Sequence, residues 1–316
     1  MNGIPVLDHD TVSRLLGHPD AADALAAALR EGLDPERCPA RSAVPVPAGE
    51  LLLMPAAWGP YAGVKIAGVA PGNPAAGLPR ITGGHLLLDG PTLQPLALLD
   101  GAALTALRTP AVSALAVRLL ATPGARRLVL FGAGPQARGH LRALRSERPL
   151  DQVTVVTRTP EPAEALAGYA RTLGWDARPG TPESIAGADL VVCCTTAREP
   201  LFDGGLVADH ATVVAVGSHE PDARETDTAL VRRSAVFVEG RTAALHEAGD
   251  LIVPQAEGAI GPDHVTGTLA DLVTGRASVP ADRPRLFKSV GMAWEDLVIA
   301  AEVYRRWAAG PPGGPV

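Results

Sequence analysis

The stretch Leu128-Val129-Leu130-Phe131-Gly132-Ala133-Gly134-Pro135-Gln136-Ala137-Arg138-Gly139-His140 decides the fold. Apolar, strand-forming residues climb into Gly132, and a helix-compatible run to Leu144 starts directly behind them. Strand, tight glycine turn and helix start form the dinucleotide-binding fingerprint, with Ala137 in its third small position. Gly132 permits the turn, and Gly134 has no side chain to hold a pyrophosphate off the backbone. Ala137 lets the helix lie close on the strand. Pro135 and Gln136 open that helix, whose unpaired N–H groups and positive dipole end suit phosphates. A bound dinucleotide is expected.

Outward from this stretch, strand and helix alternate over 128–131, 135–147, 153–156, 160–173, 188–193, 211–216, 227–233 and 235–238. Such alternation predicts an α/β, Rossmann-type doubly wound parallel sheet. Upstream the pattern differs. Two helices (10–16 and 20–33) precede short apolar runs at 42–46, 50–54, 63–69, 85–88 and 96–99, punctuated by Pro and Gly as in a meandering sheet. A long helix over 102–121 ends at Thr122-Pro123-Gly124, the domain boundary. A last helix over 292–308 follows a loop at 288–291, and the tail 310–315 reads as disordered. The expected division is an α+β substrate domain, 1–122, joined by the C-terminal segment 288–316, and a dinucleotide-binding domain, 123–287.

With 316 residues, 47% of them apolar, the chain can build two cores, yet no run reaches the ~18 residues of a membrane span. The start, Met1-Asn2-Gly3-Ile4-Pro5, lacks the basic and apolar regions of a signal peptide, so a cytoplasmic protein is expected. Three cysteines, two of them adjacent (Cys193, Cys194), make no disulfide framework. A net charge of −6 with scattered arginines argues against nucleic acid, and no metal is expected. Of 28 basic residues only Lys65 and Lys288 are lysines. A lysine kept against such a bias suits a task that needs a compact, titratable ammonium.

Three constellations carry chemistry. The run Val153–Val156 delivers Thr157-Arg158-Thr159 where NAD sites place a carboxylate for the ribose. The first carboxylate comes only at Glu161, and Arg158 suits a 2′-phosphate, so NADP(H) is favoured with NAD(H) possible. The first domain holds Arg41, Lys65 between Val64 and Ile66, and Arg108 within an apolar helix. A charge in apolar company needs an anionic partner, and three cations suit a carboxylate substrate; a snorkelling surface cation is the other reading of each. Finally, Val216-Gly217-Ser218-His219 closes one predicted strand, with His219 as the group titrating near neutrality, and Thr195 and Thr196 close another as donors to the cofactor.

Together these residues resemble the ornithine cyclodeaminase/mu-crystallin family. The likeness runs through Arg41, Val64-Lys65, Pro71-Gly72-Asn73, Gly77-Leu78-Pro79, Leu104 to Thr109, Gly132 to Ala137, Gly217 to Glu225 and Lys288 to Asp296. It implies a homodimer built through the first domain, a nicotinamide cofactor, and amino, imino or keto acid substrates. Arg41, Lys65 and Arg108 fall on the family's basic substrate positions, with Val290 and Gly291 beside the substrate. Gly132, Gly134, Pro135, Gln136, Thr157, Arg158, Thr159, Thr195, Thr196, Val216, Gly217 and Ser289 fall on the cofactor side. Cyclodeaminases carry a catalytic aspartate where this chain has His219, whereas the mu-crystallin-like ketimine reductases lack it and keep the pattern of Pro221 to Glu225. Arg80 stands where many relatives have a small polar residue. The expected activity is hydride transfer between NAD(P)H and the α-carbon of an imino acid, or the reverse, with Lys65, His219 and Arg108 catalytic. An ornithine or lysine cyclodeaminase with tightly bound NAD, or a low-turnover ligand-binding protein, are the alternatives.

Overall fold

A computed structural model describes residues 3–310, so the expected disordered tail lies, apart from Gly310, outside the described residues. Two compact units emerge: one contains the described residues up to Ala111 and from Met292 onward, the other runs from Val112 to Gly291.

In the first unit, β1 (Val6–Leu7), α1 (His9–Leu15) and α2 (His18–Arg30) lead into β2 (Ser42–Val46), β3 (Gly49–Trp58), β4 (Tyr61–Val69), β5 (Ile81–Asp89) and β6 (Pro95–Asp100). Their six-stranded sheet has the order β1-β6-β5-β4-β3-β2, antiparallel except for the β1–β6 pair. The strands run longer than their apolar runs predict, because the hairpins extend the pairing to the turns, as at Trp58 and Tyr61. Side chains alternate between the faces. Leu52, Met54, Lys65, Ala67, His85, Leu87, Ala97 and Leu99 share the buried one. The division between the units falls inside α3 (Gly101–Leu120), one residue beyond Pro110, which interrupts that helix's hydrogen bonding. Contrary to the sequence expectation, α3 is long and apolar enough for a membrane span; it is mostly buried and carries Arg108 and Arg118, as befits a core helix.

The second unit contains β7 (Arg127–Phe131), α4 (Pro135–Leu144), β8 (Gln152–Val156), α5 (Pro160–Thr172), β9 (Asp176–Pro179), β10 (Leu190–Cys193) and β11 (Thr212–Ala215). It continues with α6 (Thr228–Arg233), β12 (Ala235–Val238), α7 (Arg241–Glu247), α8 (Gly249–Ala256), β13 (Val265–Thr268), α9 (Leu269–Val273) and β14 (Arg285–Lys288). All eight strands are parallel, in the order β13-β12-β14-β11-β10-β7-β8-β9. Strand order reverses between β7 and β10, the switch point at which such sheets bind ligands beyond their carboxyl edge. Lys288 corrects the expected 288–291 loop. It is the last residue of β14, between Ala215 of β11 and Val238 of β12. α10 (Ala293–Ala308) returns the chain to the first unit and covers β3, β4 and β5.

Candidate active site

The dinucleotide fingerprint folds as its residues require. Gly132 sits at φ +99, and a Cβ there would lie 2.5 Å from the Cys194 carbonyl oxygen. Any other residue would push β7 and the chain after β10 apart. Gly134 is the N-cap of α4, with no side-chain capping bond, and a Cβ there would meet nothing within 4 Å. Pro135 and Gln136 form the first turn, which contains no acidic residue. An open, uncapped helix start fits a pyrophosphate. Behind it, His140 contacts the Gln136 carbonyl through Nδ1 (2.8 Å) and Ser113 Oγ through Nε2 (2.8 Å), tying α4 to α3. Arg158 is exposed at the bend between β8 and α5, and Thr157 and Thr159 are hydrogen-bonded to each other there.

Three buried carboxylates shape the other loops at this edge, and sequence reasoning gave none of them a role. Glu225 accepts from Thr195 N (2.8 Å), Thr195 Oγ1 (2.7 Å) and Gly217 N (2.7 Å), joining the chain after β10 to that after β11. The Thr195 hydroxyl donates to Glu225, and Thr196 is exposed. Asp250 accepts from Glu225 N, Thr226 N and Thr226 Oγ1 and pairs with Lys288 Nζ at 3.0 Å. Lys288 also donates to the Ser218 carbonyl at 2.7 Å, fixing the loop that carries His219, which is itself half-buried. Burial pushes the Glu225 carboxyl up, Lys288 pulls it down, and the net direction is up. Glu239 accepts from Ser289 Oγ (2.6 Å), Val290 N (2.8 Å) and Gly291 N (3.0 Å). Ser289 is turned inward and buried, and the amides of Val290 and Gly291 donate to Glu239. Val216, half-buried, donates its N–H to the Cys193 carbonyl.

In the first unit two of the predicted cations, Lys65 and Arg108, meet carboxylates of α10. Lys65, 4% exposed, donates to Thr105 Oγ1 (2.5 Å) and to Asp296 Oδ1 (3.0 Å). Arg108 is buried, with Nη1 3.0 Å from Glu295 Oε2 and Nε 3.5 Å from Asp296 Oδ1. The anionic partners required of Lys65 and Arg108 thus include two carboxylates of this chain. The adjacent Glu295-Asp296 in an otherwise apolar helix start was their signal. Arg41 is half-buried, just before β2. Burial lowers the proton affinity of Lys65, Asp296 opposes this and Arg108 reinforces it, leaving the ammonium below its ordinary value. Burial alone would raise the Asp296 carboxyl, but Lys65, Arg108 and His85 together hold it below the ordinary range. An ammonium so held is a short, directional donor and a proton source of reduced pKa. Arg80 is exposed, its carbonyl accepting from Ala70 N.

The model of the ornithine cyclodeaminase/mu-crystallin family matches residues 6–311. The chain belongs to this family. Ketimine reductase mu-crystallin of Mus musculus is 35% identical over 278 residues, 86% of each chain. Among solved structures, Thermococcus litoralis Δ1-pyrroline-2-carboxylate reductase, in complex with NADH and L-proline, superposes with a TM-score of 0.92 at 30% identity, covering 99% of this chain and 100% of that one. An archaeal alanine dehydrogenase dimer with bound NAD gives a TM-score of 0.92 at 26% identity over 98% of both chains. A nicotinamide dinucleotide is common to both of those complexes.

Proposed function

We propose that this protein is an NAD(P)H-dependent reductase of α-imino acids, a ketimine or cyclic imine reductase, working also in reverse as an amino-acid dehydrogenase. The observation that carries the reading is the buried Lys65 ammonium, aimed by Thr105 and Asp296, in a chain whose relatives are ketimine and pyrroline-carboxylate reductases. When bound, the nicotinamide supplies or accepts hydride at the substrate α-carbon. Arg41, Lys65 and Arg108 hold the carboxylate, and Lys65 polarises the C=N bond; orientation and preorganised charge supply most of the rate gain. His219 delivers the proton that an unprotonated imine nitrogen needs. The open Gly134 turn and the first turn of α4 take the pyrophosphate. Arg158, with Thr157 and Thr159, takes the ribose end and favours a 2′-phosphate.

The exposed face of the first unit's sheet presents Val6, Val44, Leu51, Ile66 and Leu98, an apolar surface that supports a homodimer. The decisive assay follows NADPH oxidation with Δ1-pyrroline-2-carboxylate and its six-membered homologue, alongside ammonia release from ornithine without added cofactor. Reduction of a cyclic imine without ornithine turnover is expected; the opposite result overturns the reading. In the same assay Arg158→Ala weakens NADPH binding by ~1.5–3 kcal/mol while NADH is little affected. Equal losses for both cofactors would remove Arg158 from cofactor choice.

A further inference from the structure

His140 is wholly buried in the second unit, one turn behind the start of α4. Its Nδ1 lies 2.8 Å from the Gln136 carbonyl oxygen, and its Nε2 lies 2.8 Å from Ser113 Oγ of α3. A carbonyl can only accept, so Nδ1 carries a proton; in the neutral ring Nε2 then accepts the Ser113 hydroxyl. Cys194 Sγ, 3.4 Å from Nδ1, is a second and weaker acceptor. Burial, with Glu225 adding to it, holds the Cys194 thiol well above its ordinary pKa, so no thiolate draws the ring proton from the carbonyl. The ring is therefore held at both nitrogens. A carbonyl oxygen has two lone pairs, which leaves room for the ring beside the helix's own bond.

We propose that His140 is a positioning residue for the pyrophosphate of the dinucleotide, acting through the Gln136–Ala137 peptide group in the first turn of α4. This rests on the reading of that turn as the pyrophosphate site. Two physical effects carry it. Pro135 has no N–H, so Gln136 contributes the first helical amide, and the ring's grip on its carbonyl fixes how that residue is turned. A donor bonded to a peptide oxygen also polarises the peptide group. The Ser113 O–H, the His140 N–H and the peptide dipole then run head to tail, with the positive end at the helix start. The first turn holds no charged side chain, so its affinity for an anion rests on backbone dipoles, and these are what His140 aligns. Cys194 belongs to the same arrangement. Its carbonyl oxygen would lie 2.5 Å from a Cβ on Gly132, so the ring touches the residue that lies against the glycine turn.

The test is NADPH binding by fluorescence titration, with no substrate present. His140→Leu fills the inner half of the ring's space and removes both nitrogens, whereas His140→Asn places an amide N–H where Nδ1 stands. We expect Kd for NADPH to rise about tenfold in His140→Leu and to return within about threefold of wild type in His140→Asn. Ser113→Ala, which removes the orienting hydroxyl, raises it about threefold and carries the test if His140→Leu does not fold. NMR of the whole protein without ligand reads the same relay: the ring proton sits on Nδ1, and the Gln136 and Ala137 amide resonances move in His140→Leu and return in His140→Asn. Wild-type affinity in His140→Leu or Ser113→Ala, no rescue by a folded His140→Asn, or a ring protonated at Nε2 alone would overturn the proposal. A wild type that binds no dinucleotide would count against the functional reading, while the ring tautomer and the two amide shifts still decide the relay.

Discussion

At the residue scale, the site turns on whether a buried cation is satisfied by its own chain or waits for a substrate. Lys65 is partly satisfied: one carboxylate oxygen and one hydroxyl hold it, and an ammonium has three donors. Lys65→Arg keeps the charge but replaces a compact donor with a planar fork on a longer stem, in a space closed by Thr105 and Asp296. We expect kcat/KM for imine reduction to fall by ~10²-fold or more while the protein stays folded and still binds NADPH. Near-normal turnover of Lys65→Arg would make the lysine structural. Asp296 adds a pH dependence. Its folded pKa is depressed, so its contribution to stability is present above the ordinary carboxylate range and is lost as the pH falls below it. Lys65 and Arg108 were legible in the sequence because charges interrupt apolar runs there. Glu295 and Asp296 were not, since their partners lie on elements distant in sequence.

At the element scale, the parallel sheet was legible wherever strand and helix alternate with helical runs of ordinary length. It failed at β14. The sequence Arg285-Leu286-Phe287-Lys288 has charged ends and is assigned to no strand, with Lys288 read into the loop 288–291, yet the fold inserts it between β11 and β12 and buries all four residues. Arg285 is accommodated by carbonyls, its guanidinium donating to those of Asp209 and His210, and Lys288 by Asp250. Local pattern cannot register such distant partners. Glu239 is the corresponding device for the segment after β14. Glu239→Ala leaves the Ser289 hydroxyl and the amides of Val290 and Gly291 without their buried acceptor. At ~1–3 kcal/mol for each stranded donor, we expect a loss of ~3 kcal/mol or more in urea unfolding. Asp222→Ala, which breaks an exposed pair with Arg198, should cost under ~1 kcal/mol. Comparable costs for the two variants would show that Glu239 is no clamp.

At the scale of the whole molecule, the sheet of the first unit has two unlike faces. One is covered by α10; the other leaves Ile66 of β4 44% and Leu98 of β6 42% exposed, on either side of β5 and with Val44, Leu51 and Val6 on the same side. Antiparallel sheets in water commonly place polar residues on the open face, and this one does not. An apolar patch of this kind marks an interface, and a stable one buries on the order of 800 Å² per partner. The archaeal alanine dehydrogenase that superposes on this chain is a dimer. Ile66→Asp and Leu98→Asp each place a negative charge on the patch, and burying it unpaired at a two-fold interface costs several kcal/mol in each protomer. We expect sedimentation velocity to show a dimer for the wild type and mostly monomer for the double variant at micromolar concentration. Ile66 lies one residue from Lys65 and faces the opposite side of β4, so the Lys65 environment is not altered directly. If the double variant sediments as the wild type does, this face is not the dimer interface. If the wild type is itself a monomer at that concentration, the homodimer is wrong.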